Sequence, residues 1–235
     1  AQEKSSKITR SFDEEMAELG HPPQGHGGGV GGAPFDAISD YYRGMRGTMI
    51  DIYRQPEKLL AACDKVLEWR IRRAAPADPT KRGNPKRLQL PLHRGAEGFM
   101  SKKQFEKFYW PGLKKSLLAS INLGFVPMPY FEGGFTDRLE YLCELPKGKV
   151  VIVLDRTNMK KAKEVLRDHL CIMGNVPSPL LAVGSPAEVD EYCKDLIKTC
   201  AKGGGFILSN GSAIDDAKPE NIRAMMDAVT KYGRY

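Results

Sequence analysis

Cysteine is scarce in this chain and poorly placed for cross-linking. There are five in 235 residues, Cys63, Cys143, Cys171, Cys193 and Cys200, and no two are spaced as CxxC. An odd number at irregular spacing argues against a disulfide framework and for a reducing compartment. Histidine is limited to four, and His21 and His26 lie in a glycine-rich stretch with no cysteine nearby. They read as loop residues, not metal ligands. No run is long and apolar enough to span a membrane, and the opening AQEKSSKITR is too polar for a signal peptide. A cytoplasmic location is the default expectation. No GxGxxG follows an apolar run and no GxxxxGK[ST] occurs, so the usual dinucleotide and nucleotide phosphate cradles are excluded. Gly203 to Gly205 precede a strand-like run, and read as a helix stop and turn.

The net charge is +7, yet the positives are dispersed. The densest run, RIRRAAPADPTKRGNPKR from Arg70 to Arg87, is broken by proline and glycine and has no interleaved aromatics. It reads as a solvated helix end and loop, so no nucleic-acid partner is expected. With 41% hydrophobic and 28% charged residues, the chain has the make-up of a globular protein with a substantial core.

Residues 1–31, polar and then glycine-rich, read as a flexible arm or loop ahead of a single domain over 32–235. From Pro34 apolar residues recur at helical spacing, and QPEKLLAACDKVLEWRIRR reads as a clean helix with Pro56 in its first turn. Then a rhythm begins. RLQLPLHRG, FVPMPYFEGG, KVVIVLDRT, LCIMGNV and GFILSNGS are short apolar runs, each followed by a helix-like stretch. This alternation predicts a parallel sheet with helical crossovers, its strands ending near Leu92, Phe131, Leu154, Gly174 and Ser209.

In such folds the chemistry gathers at the carboxyl ends of the strands. Here the expected ends carry His93 and Arg94, then Glu132, then Asp155 and Arg156, then Asn175, then Asn210 and Ser212. A polar residue in a loop needs no function, and Asp155 could equally pair with Arg156 or cap the next helix. The recurrence at five successive ends predicts a ring around one cavity. Arg94 and Arg156 suit a carboxylate or phosphate, and Glu132, Asp155 and His93 suit proton transfer. His93 with Glu132 is the weak candidate pair for a metal.

The blocks GAPFDAISDYYRG, VVIVLDRTNMKKAKEVL, IMGNV and FILSNGSAIDDAKPENIRAMMDAV, in this order, resemble the uroporphyrinogen decarboxylase superfamily. The resemblance implies a TIM-type (β/α)8 barrel. It also implies one of two chemistries: cofactor-free decarboxylation of porphyrinogen acetate groups, or methyl transfer involving a corrinoid protein, usually with zinc. Judged by the resemblance, the first strands of the barrel are missing here, with the decarboxylases' arginine-rich segment and early aspartate. The chain is then a fragment, a divergent incomplete barrel, or one completed by a second copy or a partner chain. The decarboxylase tyrosine aligns with Asp40, beside Tyr41, and both become substrate-binding candidates. The decarboxylase histidine aligns with Ser212. The methyltransferase zinc positions align with Tyr130, Glu132 and Ser212, and HLC at His169 to Cys171 sits one strand too late, where Cys171 reads as a small buried residue. The leading expectation is methyl transfer with a corrinoid-protein partner and a small-molecule substrate. The alternatives are a carboxy-lyase with a tetrapyrrole substrate and a non-catalytic tetrapyrrole- or corrinoid-protein-binding subunit.

Overall fold

The computed structural model describes residues 2–20, 29–78, 86–214 and 216–234. Five parallel strands pair in chain order: β1 (Arg87–Leu92), β2 (Val126–Phe131), β3 (Val151–Leu154), β4 (Cys171–Val176) and β5 (Phe206–Asn210). Strands and helices alternate as expected, and the architecture is an incomplete TIM-type barrel. β4 and β5 run two residues and one residue further than expected. Asn175 and Asn210, taken for loop residues, are in the ladder, opposite Ser209 and Val176.

The alternation of side chains across a strand explains how the sheet is packed. Leu88, Leu90 and Leu92 of β1, Pro127, Pro129 and Phe131 of β2, and Ile152 and Leu154 of β3 are buried beneath the helices. Each fully buried large apolar side chain contributes about 1.5–3 kcal/mol relative to an exposed one. The alternate residues face the concave side, where a complete barrel would pack its interior. Gln89, Pro91 and Ile207 are exposed there, and Met128, Tyr130 and Met173 are only half-buried. Val153 and Asn175 are buried on that side, so the concave face is open mainly along β1, β2 and β5.

The crossover helices begin where the sequence supplies caps. α4 (Pro56–Arg73) starts on proline and buries Leu59, Cys63 and Leu67. α7 (Met159–Leu166) is capped by the Asn158 side chain, which accepts from the Lys161 amide at 3.0 Å, so Asp155 is not the cap. α9 (Pro186–Cys200) opens on a Ser185–Glu188 capping box. α10 (Pro219–Tyr232) carries the fully buried Asn221, whose amide donates to the Leu181 and Gly184 carbonyls at 3.0 and 2.9 Å. That closes the end of α8 (Ser178–Val183), a short helix absent from the sequence reading.

Other elements differ from expectation for local reasons. Gln2–Glu18 forms a helix, α1, where an arm or loop was read, while His21 and His26 lie outside the described residues. The first helical text is interrupted. α2 (Pro34–Ala37) continues as a π turn over Ile38–Tyr42, and Gly44, at φ 77°, redirects the chain into α3 (Met45–Arg54). The helix after β1 begins as α5 (Lys102–Gln104), widens into a π turn over Phe105–Tyr109 and resumes as α6 (Trp110–Asn122). Pro111 has no N–H to give the preceding turn, which is the local reason for the widening. The stretch after β2, read as an ordinary helix, is a 3-10 helix over Thr136–Glu144.

Candidate active site at the strand ends

The loops after β1, β2 and β3 are laced together by their backbones. Glu132 N–H donates to Leu92 O at 3.2 Å, Arg156 N–H to Gly133 O at 3.1 Å, and Glu97 N–H to Gly134 O at 2.9 Å. This brings His93, Arg94, Glu97, Phe99, Glu132 and Arg156 around one open cavity of about 640 Å3.

His93 and Arg94 are fixed from below by two acids on the turn of helix formed by α2 and its π extension. Asp36, buried, accepts hydrogen bonds from the backbone N–H of His93 at 3.0 Å, the N–H of Arg94 at 2.9 Å and the Tyr109 hydroxyl at 2.6 Å. Burial pushes its carboxyl above the ordinary carboxylate range, and the three donors pull it back in part. Burial, with Asp36 alongside, drives the Tyr109 phenol well above its usual value. Asp40, four residues on, meets the side chains. Its Oδ2 lies 2.8 Å from His93 Nδ1, and its Oδ1 accepts from Arg94 Nη2 at 3.1 Å. Arg94 Nε also donates to Ser39 Oγ at 3.1 Å, and its guanidinium stacks 4.9 Å from the Phe99 ring centre. His93 Nε2, facing the cavity, is 3.6 Å from Glu132 Oε2.

Asp155 and Arg156 part company as β3 ends. The Asp155 Oδ2 accepts from the Gly133 N–H at 2.9 Å, while Arg156, 83% exposed, reaches into the cavity with only a 3.6 Å approach to that carboxylate. With the guanidinium exposed and the contact long, this ion pair holds Arg156 loosely. Asp155, Arg156 and Asn175 line a second, smaller cavity of about 350 Å3. Asn175 itself is buried, its amide donating to the carbonyls of Asp155 and Thr157 at 2.7 and 3.0 Å. The single ring expected from the sequence is therefore divided between two cavities joined at Arg156. Ser212 follows β5 and lines neither of them, and its carbonyl accepts from the Asn210 amide. Tyr41 is 79% exposed and also lines neither. Asp36 was missed by the sequence reading. Its signal was the spacing of Asp36 and Asp40, which puts two acids on one face of a helical turn within an apolar block.

A family model described as uroporphyrinogen decarboxylase (URO-D) matches residues 26–232. The chain belongs to the uroporphyrinogen decarboxylase family. Among solved structures, a methyltransferase from Methanosarcina mazei is similar to this URO-D family member at a TM-score of 0.66 and 17% identity. The match covers 86% of this chain and 58% of that one, and at this identity it speaks for the fold. None of the curated proteins matches the chain.

A zinc ion of the kind the family resemblance implies does not fit these residues. Among the described residues no three His, Cys, Asp or Glu side chains are grouped to hold a metal. His93 and Glu132 offer two donors, and the other His93 nitrogen is taken by Asp40. Thiolates are not at hand either: Cys63, Cys193 and Cys200 are buried, Cys143 is on the 3-10 helix, and Cys171 starts β4, half-buried rather than buried as read. His169 beside it is engaged through Nε2 with the Leu145 carbonyl at 2.8 Å.

Proposed function

We propose that this chain carries the substrate-binding and proton-handling end of a URO-D family methyltransferase acting on a small anionic molecule. The observation that carries the reading is the composition of the larger cavity. It pairs a proton-carrying couple, His93 and Glu132, with one loosely paired cation among the described residues, Arg156. Arg94 is already matched by Asp40. One loosely held arginine suits one carboxylate or phosphate, whereas a porphyrinogen rimmed with carboxylates would need several cations. A methyl acceptor bearing an O–H, N–H or S–H loses that proton as its new bond to carbon forms, and Glu132 or Nε2 of His93 takes it up. The methyl group would be supplied by a corrinoid held on a partner protein, and the corrinoid would keep the electron pair of the bond to carbon that breaks. Asp155 keeps the Gly133 turn in place, and Asn175 the end of β3. A second copy or a partner chain supplying the remaining strands would close the barrel over the concave face.

The carboxy-lyase reading rests on the description of the matching family model, and the same His93–Glu132 couple would then protonate the product carbon. A binding subunit without turnover is the third reading. The test is methyl transfer from methylcobalamin to small thiols, alcohols and amines that carry a carboxylate, set beside carbon dioxide release from porphyrinogens, both on the closed barrel. Methyl transfer that falls ~10²–10⁴-fold in Glu132→Gln, as expected for loss of an acid–base group, supports the proposal. Arg156→Lys should raise KM, because lysine keeps the charge and loses the fork. Porphyrinogen decarboxylation without methyl transfer would overturn it.

A further inference from the structure

The contact between Asp40 and His93 has a chemical content that the cavity alone does not display. A carboxylate can only accept hydrogen bonds, so the His93 Nδ1 that lies 2.8 Å from Asp40 Oδ2 must carry the hydrogen. The ring is also held in orientation, since the backbone N–H of His93 is tied to Asp36 and the Asp40 side chain is anchored by Arg94. Nε2 is left toward the cavity and Glu132. Its proton is then the one that comes and goes, while Nδ1 keeps its own in both charge states of the ring.

We infer that Asp40 is a positioning residue that fixes His93 as the Nδ1–H tautomer, and that Arg94 enforces this choice by fixing which way the group at position 40 faces. This assigns Asp40 to the histidine and not to substrate. The role of Arg94 follows from its chemistry. A guanidinium can only donate, and it donates to Asp40 Oδ1 at 3.1 Å. In Asp40→Asn the amide oxygen must therefore stay on the Arg94 side, and the NH2 group turns to the imidazole. An NH2 group opposite Nδ1 demands an acceptor there, so the proton moves to Nε2. A substitution of nearly equal shape thus inverts the ring's hydrogen pattern.

The consequence for turnover rests on the proposed function, but the tautomer does not, and it can be read without any substrate. The experiment is nitrogen–proton correlation of the histidine side chains in the full chain, at a pH where the rings are neutral, with His93 assigned by its loss in His93→Gln. His169 is an internal reference of the opposite kind, since its Nε2 faces the Leu145 carbonyl at 2.8 Å and must bear the hydrogen. Wild-type protein should show His93 protonated at Nδ1 and His169 at Nε2. In Asp40→Asn the His93 pattern should switch to Nε2–H with His169 unchanged. In Asp40→Ala, which leaves neither donor nor acceptor, it should become a mixture. Where a methyl-transfer or decarboxylation assay is in hand, Asp40→Asn should lower kcat by ~10²-fold or more with KM little changed, as blocking a base requires. A wild-type His93 protonated at Nε2 overturns the inference. So does an unchanged His93 pattern in Asp40→Asn while the His169 signal reports an intact fold. An inert protein with the expected tautomers would count against the proposed function and leave the role of Asp40 standing.

Discussion

The carboxylate of Asp155 accepts a hydrogen bond from the backbone N–H of Gly133 at 2.9 Å, joining the end of β3 to the turn that carries Glu132. Asp155→Ala should therefore cost about 1.5–3 kcal/mol, the range for losing a hydrogen bond to a charged acceptor. Asp155→Asn, whose amide oxygen can accept the same bond, should keep most of the stability. Urea midpoints for the two variants check this. If Asp155 instead moves protons, Asp155→Asn will be as stable as wild type and still lose turnover.

Arg138 is a buried cation in the 3-10 helix. Its Nη2 donates to the Met100 carbonyl at 2.5 Å, but Nε and Nη1 have no hydrogen-bond partner among the described residues, and Asp137 lies 3.6 Å from Nε. The rings of Phe105 and Phe135 lie 5.1 and 5.8 Å from its guanidinium. Burial lowers its pKa. Replacing a poorly satisfied buried charge by an apolar group of similar length is often neutral or stabilising. Arg138→Met should unfold within about 1 kcal/mol of wild type, whereas Arg138→Ala, which leaves a hole among the rings, should cost about 2–5 kcal/mol. A loss in Arg138→Met as large as in Arg138→Ala would show that the charge itself is required.

Burial pushes the Cys63 thiol up to about 12 and those of Cys193 and Cys200 up to about 11. A thiol whose folded pKa is raised ionises first in the unfolded chain. Its contribution to stability is complete below the unfolded value of 9.0 and drains away as pH rises from there toward 11–12. The protein should thus lose urea resistance as pH rises from about 9 toward about 11, and replacing the three cysteines by alanine should flatten that slope. A thiol reagent should modify exposed Cys143 first and half-buried Cys171 next, with Cys63, Cys193 and Cys200 reacting only on unfolding. Rapid native labelling of Cys193 would contradict this packing.

Ile207 is 40% exposed on the concave side of the sheet, with Met128, Tyr130 and Met173 half-exposed beside it. Together with two strand edges, β1 and β5, this is a surface that binds to whatever will cover it. The chain alone should self-associate in sedimentation runs and bind a hydrophobic dye. Ile207→Lys and Met173→Lys should shift it toward monomer. A monodisperse wild-type monomer that binds no dye would show that the face tolerates water.

The sequence displayed the first three strands to the residue at their carboxyl ends, because Leu92, Phe131 and Leu154 are each followed at once by a charged side chain or histidine. The same polarity cue failed at Asn175 and Asn210, where the polar residues belong to the ladder. An asparagine that hydrogen-bonds to neighbouring carbonyls, as Asn175 does, can stay inside a buried strand. The cluster of His93, Arg94, Glu132 and Arg156 was legible for the general reason that loops following parallel strands share one end of the sheet. The spacing of Asp36 and Asp40 put two acids on one helical face, but their partners His93 and Arg94 were not legible. That pairing depends on a contact across more than fifty residues of sequence between a helical turn and a strand end, and local pattern carries no such information.

The strands lie side by side in the order in which they occur along the chain. During synthesis, each strand after β1 would therefore emerge to find its neighbour already made, and no strand would have to be inserted between two others. The sheet can lengthen at one margin as translation proceeds, one crossover at a time. Nascent chains arrested after successive strands should gain amide protection in steps that spread from β1 toward β5.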